Sequence, residues 1–190
     1  MCLLPIISSY RALNIMDKTT NRQTTRLFSN LKWVGREIGK YQVEKVLLRH
    51  KSRQTVSLKA LDKETNRPVV LKVFGPLSEL SIIEFEKENT AYKKLKHKSR
   101  HGVLTPLDTF EYEGNFVIVT EYKNGGDLRK WLKTKPKITE ILDVFARIAE
   151  SIDYIHENKI IHRDIKPENV VYEEVGEKIT PYLTDFGISV

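Results

Sequence analysis

Apolar and polar positions change rhythm along the chain. From Ser8 to about Lys40 the apolar residues fall without a sustained period among Thr, Asn, Arg and Ser, which predicts a mobile leader over residues 1–40. From Tyr41 the texture turns to short β-rich runs at 43–48, 55–61 and 68–74, separated by charged or turn-forming residues. Three antiparallel strands are expected, with 62–67 as the hairpin loop between the second and third. Over 80–95, Ile82, Phe85, Ala91, Tyr92 and Leu95 stand near helical spacing, acidic residues come early and lysines late, and one helix is expected. Two more strands, at 107–112 and 116–121, turn on Glu113-Gly114-Asn115. After Gly125-Gly126 the period is helical: Ile141, Val144, Phe145, Ile148, Ile152 and Ile155 form one apolar stripe, with Thr139 as its expected cap.

Composition narrows the class. The 190 residues, 40% hydrophobic and 30% charged, suffice for one globular domain with a tail or for two small lobes. The lone cysteine, Cys2, excludes an internal disulfide, so a reducing intracellular compartment, most simply the cytoplasm, is expected. His97 with His101, and His156 with His162, lack cysteine or carboxylate partners at ligand spacing, so no metal site built on histidine is expected. The apolar opening over 3–7 is broken by Pro5 and is far shorter than the ~20 residues a membrane span requires. It also lacks a preceding basic stretch and a small-residue cleavage site, so no signal peptide is expected. The net charge of +7 favours anionic partners such as nucleotide, acidic substrate or nucleic acid. The basic cluster Lys93-Lys94-Leu95-Lys96-His97-Lys98 reads as a solvated helix face, and nucleic-acid binding is not expected.

The chemistry concentrates in His162-Arg163-Asp164-Ile165-Lys166-Pro167-Glu168-Asn169, followed by Asp185-Phe186-Gly187. In these motifs the sequence resembles the protein kinase family, whose catalytic loop of this form precedes Asp-Phe-Gly at the mouth of a nucleotide cleft. Lys166, two residues after the aspartate, makes it look like the serine/threonine branch. The resemblance runs from about Tyr41 to the end of the sequence. It implies an α+β, protein-kinase-like fold: a five-stranded antiparallel N-lobe with one helix over 41–122, and an incomplete helical C-lobe over 123–190. It also implies ATP, Mg2+ and a protein substrate.

Phosphoryl transfer mainly requires an acceptor hydroxyl placed in line with the γ-phosphate and charge neutralised on the transferring oxygens. By the resemblance, Asp164 would accept or orient the hydroxyl proton and Lys166 would sit near the γ-phosphate. Asn169 and Asp185 would hold magnesium through hard oxygen ligands. Lys72 lies in Val69-Val70-Leu71-Lys72-Val73-Phe74, a strand apolar on both faces, where an unpaired ammonium would be costly. The family's strand lysine touches the α- and β-phosphates and pairs with a helix glutamate. That partner is expected to be Glu88 rather than Glu84 or Glu86, from its spacing to Leu95 and His97. Val119-Thr120-Glu121-Tyr122-Lys123 resembles the hinge that bonds adenine through its backbone, with Thr120 as gatekeeper. Asp127 resembles the residue near the ribose, and Val56, Val70 and Val171 those that sandwich the adenine ring.

Two departures from the family pattern stand out. Its phosphate-covering loop reads Gly-x-Gly-x-x-Gly-x-Val, and aligning that valine with Val56 puts Arg49, Lys51 and Gln54 at the glycine positions. No glycine occurs between Lys40 and Gly75. Glycine permits positive φ and a close approach of backbone amides to phosphate, so side chains here are expected to lift the loop. Arg49 or Lys51 could offer phosphate a charge instead. Val70 replaces the usual alanine and narrows the adenine slot, so nucleotide binding is expected to be weak or unusual. Only Ile188, Ser189 and Val190 follow the second motif, so the family's activation loop, peptide platform and later helices are expected to be missing here. Exposed apolar helix faces, and with them poor solubility or partner dependence, are expected in consequence. Two functions follow: a protein serine/threonine kinase present as a truncated domain, or a catalytically impaired, pseudokinase-like or shortened isoform acting through a regulatory protein partner.

Overall fold

A computed structural model of the chain describes residues 32–50, 55–75, 79–95 and 102–190. Cys2, the apolar 3–7 segment, Lys51, Gln54, the Lys96-His97-Lys98 part of the basic cluster and His101 lie outside the described residues.

The small lobe is an antiparallel sheet with one helix. In chain order its elements are β1 (Glu37–Ile38), β2 (Tyr41–His50), β3 (Thr55–Asp62), β4 (Arg67–Phe74), α1 (Glu79–Lys94), β5 (Pro106–Tyr112) and β6 (Asn115–Glu121). The strand order is β1-β2-β3-β4-β6-β5. The sheet therefore has one strand more than expected, because Glu37–Ile38, inside the range expected as a leader, pair with β2. Gly35 and Gly39 adopt positive φ, the turns they permit bring β1 back onto β2, and Trp33 and Ile38 are buried.

Strand alternation sorts the sheet into two faces. Val56, Leu58, Ala60, Val69, Leu71, Val73, Val117 and Val119 point to one side and form a core with Trp33, Ile38, Tyr41 and Val43. Register puts Ser57 opposite Lys72, Lys59 opposite Val70, Ile118 opposite Lys72 and Thr120 opposite Val70, so these side chains share the other face. Helix α1 covers that second face. Its buried positions Ser81, Phe85, Glu88, Ala91 and Tyr92 follow the helical spacing of three to four residues, and Leu95, just past its end, is buried with them. Phe85 stacks on Phe116 and meets Phe74 edge to face.

The large lobe holds β7 (Gly126–Asp127), α2 (Leu128–Leu132), α3 (Ile138–Glu157), a 3-10 turn (Pro167–Asn169), β8 (Val170–Val175) and β9 (Lys178–Leu183). The three strands make a second sheet in the order β7-β8-β9, whereas the periodicity indicates helices alone. The β8–β9 hairpin turns at Gly176, which has positive φ, and buries Val170, Tyr172 and Leu183 against the helices.

Helix α3 starts after Pro136 at an N-cap of Lys137, not Thr139. Glu140 accepts the Lys137 N–H at 2.7 Å, which satisfies one of the donors exposed at a helix start. Val144, Ile148 and Ile155 of its apolar stripe are buried, while Phe145 is 52% exposed. Ser151 takes a place on the buried side, where Gly102 approaches so closely that a Cβ on it would lie 2.2 Å from Ser151 Oγ. Among the described residues no helix is long and apolar enough to cross a membrane.

Candidate active site

Among the described residues of α1, Glu88 is the one charged residue on the buried stripe, and its side chain is only 2% exposed. A carboxylate there needs a cation, and Lys72 of β4 supplies it, Nζ to Oε2 at 2.6 Å. The same ammonium lies 2.7 Å from Asp185 Oδ1. Burial pulls the Lys72 pKa down, but the two carboxylates outweigh it and hold the group above the ordinary lysine value. Burial pushes the Glu88 carboxyl up, and Lys72 pulls it back. Neither Glu84 nor Glu86 replaces Glu88 in this pair.

Asp164, Lys166 and Asn169 form a second group. Lys166 Nζ donates to Asp164 Oδ2 at 2.6 Å, and Asn169 Nδ2 donates to Asp164 O and Oδ2 at 2.8 and 2.9 Å. The Lys166 ammonium holds the Asp164 carboxyl below its ordinary range, against the effect of partial burial. The two groups meet through Thr184, the residue before Asp185. Its N–H donates to Asn169 O at 3.0 Å, and its carbonyl accepts from His162 Nε2 at 3.0 Å. His162 Nδ1 in turn accepts the Asp164 N–H at 3.3 Å. Burial lowers the His162 pKa, which keeps the ring neutral and matches one donating and one accepting nitrogen. Arg163 and Asp185 both adopt positive φ, at 66° and 67°, so the backbone is strained in both motifs.

The adenine-slot residues divide. Val70 and Thr120 share the face of Lys72, and Val171 of β8 pairs with Tyr182 on the strand face opposite the buried Val170 and Tyr172. Val56 does not join them. It is 1% exposed in the core on the far side of the sheet, and Ser57 stands beside Lys72 in its place. A one-residue step along a strand reverses the face, and the unbroken β3–β4 register puts Ser57 opposite Lys72 and Val56 opposite the buried Val73. Moving the loop alignment by that residue puts His50, Ser52 and Thr55 at the glycine positions, still without a glycine. Glu121 ends β6, Tyr122 N–H donates to Pro68 O at 3.4 Å, and Asp127 caps α2 by accepting the Lys130 N–H at 3.0 Å.

Two polar partners are not evident from the sequence motifs. Tyr92 donates its hydroxyl to Glu88 Oε1 at 3.3 Å while its ring meets Phe186 edge to face. A signal for it exists, since Tyr92 is one helical turn after Glu88. Lys123, whose backbone alone belongs to the hinge pattern, buries its side chain against β8 and β9. That contact joins distant segments and has no sequence signature.

The oxygens suit a hard cation. Asn169 commits its amide nitrogen to Asp164, leaving its side-chain carbonyl oxygen as a ligand for a cation, while its backbone carbonyl accepts the N–H of Thr184, the residue before Asp185. Magnesium takes one or two protein oxygens and completes its shell with water and phosphate. Among the described residues no three His, Cys, Asp or Glu side chains close a protein cage for a metal. The Asn169 side-chain oxygen and the Asp185 carboxylate are of the ligand type that a phosphate-bound magnesium takes.

Residues 50–190 match the model of the protein kinase domain family. The chain is 46% identical over 107 residues to the alpha subunit of inhibitor of nuclear factor kappa-B kinase from Gallus gallus, covering 50% of this chain and 13% of that protein. It is 30% identical over 158 residues to a probable myosin light chain kinase of Dictyostelium discoideum, covering 82% of this chain and 42% of that one. A probable serine/threonine-protein kinase of the same organism, fhkD, is 29% identical over 155 residues, covering 80% of this chain and 19% of that protein. The chain thus spans less than half the length of each of these relatives.

Proposed function

The chain belongs to the protein kinase family, and on that premise we propose that it is an ATP-dependent kinase that phosphorylates serine or threonine hydroxyls of a protein substrate. One observation carries the reading: Lys72 of the small lobe bonds both Glu88 and Asp185, and Asp185 is tied through Thr184 to the Asn169–Asp164 pair. Residues 32–122 would then form the small lobe and 123–190 large-lobe structure. The single cysteine is consistent with an intracellular location.

In this reading Glu88 holds Lys72 in place, and Lys72 neutralises the α- and β-phosphates. Asp164 takes the acceptor hydroxyl proton as the hydroxyl oxygen bonds to the γ-phosphorus and the bond to the bridging oxygen breaks, releasing ADP. Lys166 balances charge on the transferring group. Asn169 and Asp185 would hold Mg2+, which supplies charge neutralisation at the β- and γ-phosphates. The backbone of Glu121 and Tyr122 would bond the adenine edge, with Thr120 behind it and Val70 and Val171 against its faces. Asp127 would reach the ribose only with its remaining acceptor capacity, because its carboxylate already caps α2 and pairs with Lys130.

The test is radiolabelled phosphotransfer from ATP to peptides carrying serine, threonine or tyrosine as the sole acceptor. The wild-type chain should label serine or threonine peptides, and Asp164→Asn and Lys72→Met should not. Equal labelling by all three proteins rejects the proposal.

A second reading, a catalytically impaired regulator acting through a protein partner, draws on the glycine-free stretch from Tyr41 to Phe74. Calorimetric titration with magnesium and ATP separates the two: ordinary micromolar affinity would remove the ground for the second.

A further inference from the structure

Lys123 follows the hinge pair Glu121-Tyr122, yet its side chain is only 6% exposed. Three contacts surround its ammonium: Glu121 Oε2 at 2.9 Å, Glu173 Oε2 at 3.5 Å and the Tyr182 ring, whose centroid lies 4.1 Å away. They come from three elements, the end of β6, β8 and β9. Tyr182 also donates its hydroxyl to Glu173 Oε2 at 3.3 Å, fastening the same carboxylate oxygen. The two glutamates face water in part while the cation sits inside, an arrangement unlike an ordinary surface pair. A desolvated cation over an aromatic face is held more strongly than an exposed one. Burial opposes the charge on Lys123, but the carboxylates and the tyrosine keep its pKa above the ordinary lysine value.

The next two residues continue the attachment. Asn124 donates Nδ2 to Glu174 O at 3.1 Å and accepts the Glu174 N–H on Oδ1 at 2.9 Å. Gly125 N–H donates to Tyr172 O at 3.1 Å. Residues 123, 124 and 125 are therefore each fastened to β8, and the hinge cannot swing without breaking the Lys123 cage.

We propose that Lys123 is a positioning residue that pins hinge residues 121–125 onto the β8–β9 sheet, so that the hinge backbone is already in place for a planar purine base. The clamp deepens the nucleotide-cleft reading above and rests on it. A preorganised backbone loses less conformational freedom when the base binds. Base recognition should depend on Lys123, whereas phosphate recognition, which falls to Lys72 and the catalytic loop, should not.

The experiment compares the wild-type chain with Lys123→Met and Lys123→Arg. It measures hydrogen exchange of the 122–125 amides without ligand, and calorimetric affinity for two probes, adenosine and magnesium tripolyphosphate. Methionine keeps the aliphatic stem and leaves two partly hydrated carboxylates, so folding should persist. In Lys123→Met, hinge exchange should rise and adenosine affinity fall, each about tenfold. Tripolyphosphate affinity and melting temperature should stay unchanged, and Lys123→Arg should behave as wild type. Unchanged exchange overturns the proposal, as does faster exchange with adenosine affinity intact. A joint fall of both affinities and the melting temperature would mark Lys123 as a general structural residue and overturn it too. Failure of the wild-type chain to bind either probe would defeat the nucleotide-cleft reading by itself. Exchange would then decide the clamp: faster in Lys123→Met supports it, unchanged overturns it.

Discussion

Lys72 and Asp185, 113 positions apart in the chain, lie 2.7 Å apart at the junction of the lobes. The contact makes one ammonium answer to two carboxylates, because Lys72 is bonded to the buried Glu88 as well. Cutting the chain of contacts at Lys72 therefore does more than remove a phosphate ligand.

Replacing Lys72 with methionine leaves Glu88 buried without its cation, which should cost about 3–5 kcal/mol of folding stability. Urea unfolding measures the loss. The double variant Lys72→Met/Glu88→Gln should recover most of the stability but no phosphotransfer. An unchanged urea midpoint in the single variant would show that the pair does not hold α1 in place.

Asp164→Asn removes a carboxylate that touches only Lys166 and Asn169 among the site groups. Single-turnover phosphotransfer should slow by about 10²–10⁴-fold, the usual contribution of a positioned base. Calorimetric affinity for magnesium and ATP should be preserved. A parallel loss of affinity would place Asp164 in binding rather than in the chemical step.

His162 couples stability to pH. Its folded pKa is depressed below 6.5, first by burial, so between the folded value and 6.5 the unfolded chain holds a proton that the folded chain does not. Stability should fall as pH drops from neutral through that window. Urea midpoints measured from pH 7.5 to 5 test the sign, and His162→Asn, although less stable throughout, should show a shallower slope. Equal slopes in the two proteins would assign the dependence to other groups.

Gly125 is required by packing rather than by φ. A Cβ on it would meet the Tyr172 ring at 2.0 Å, so Gly125→Ala should cost about 1–3 kcal/mol through forced repacking. Gly114 sits in an open turn at φ 71°, where a Cβ would meet nothing within 4 Å, and Gly114→Ala should cost only the left-handed strain of about 1 kcal/mol. Denaturant midpoints of the two variants distinguish the mechanisms, since Tyr172→Leu should relieve the first cost and leave the second unchanged.

Much of the site was legible because its residues are close in the chain. Asp164, Lys166 and Asn169 lie within six positions, and the 3-10 turn at Pro167–Asn169 folds Asn169 back onto Asp164. Glu88 was identifiable from its spacing to Leu95 and His97 in the family resemblance, and Lys72 because an ammonium on a doubly apolar strand requires an anion. Val56 was misplaced because the glycine-free loop offers no anchor for its alignment, and only the β3–β4 register shows that Ser57, one residue on, stands opposite Lys72. The β8–β9 hairpin was missed because its short runs lie between stronger helical and loop signals.

Local rules in the sequence alone determined the main strands, the two long helices and the two motifs, since alternation, helical spacing and turn residues act over a few positions. Only the tertiary structure decided that Trp33 and Ile38 belong to the small-lobe core, that Ser57 rather than Val56 faces Lys72, and that Lys123 is caged by Glu121, Glu173 and Tyr182. Those outcomes depend on strand register and on contacts between segments up to dozens of residues apart, and neither leaves a period in the chain.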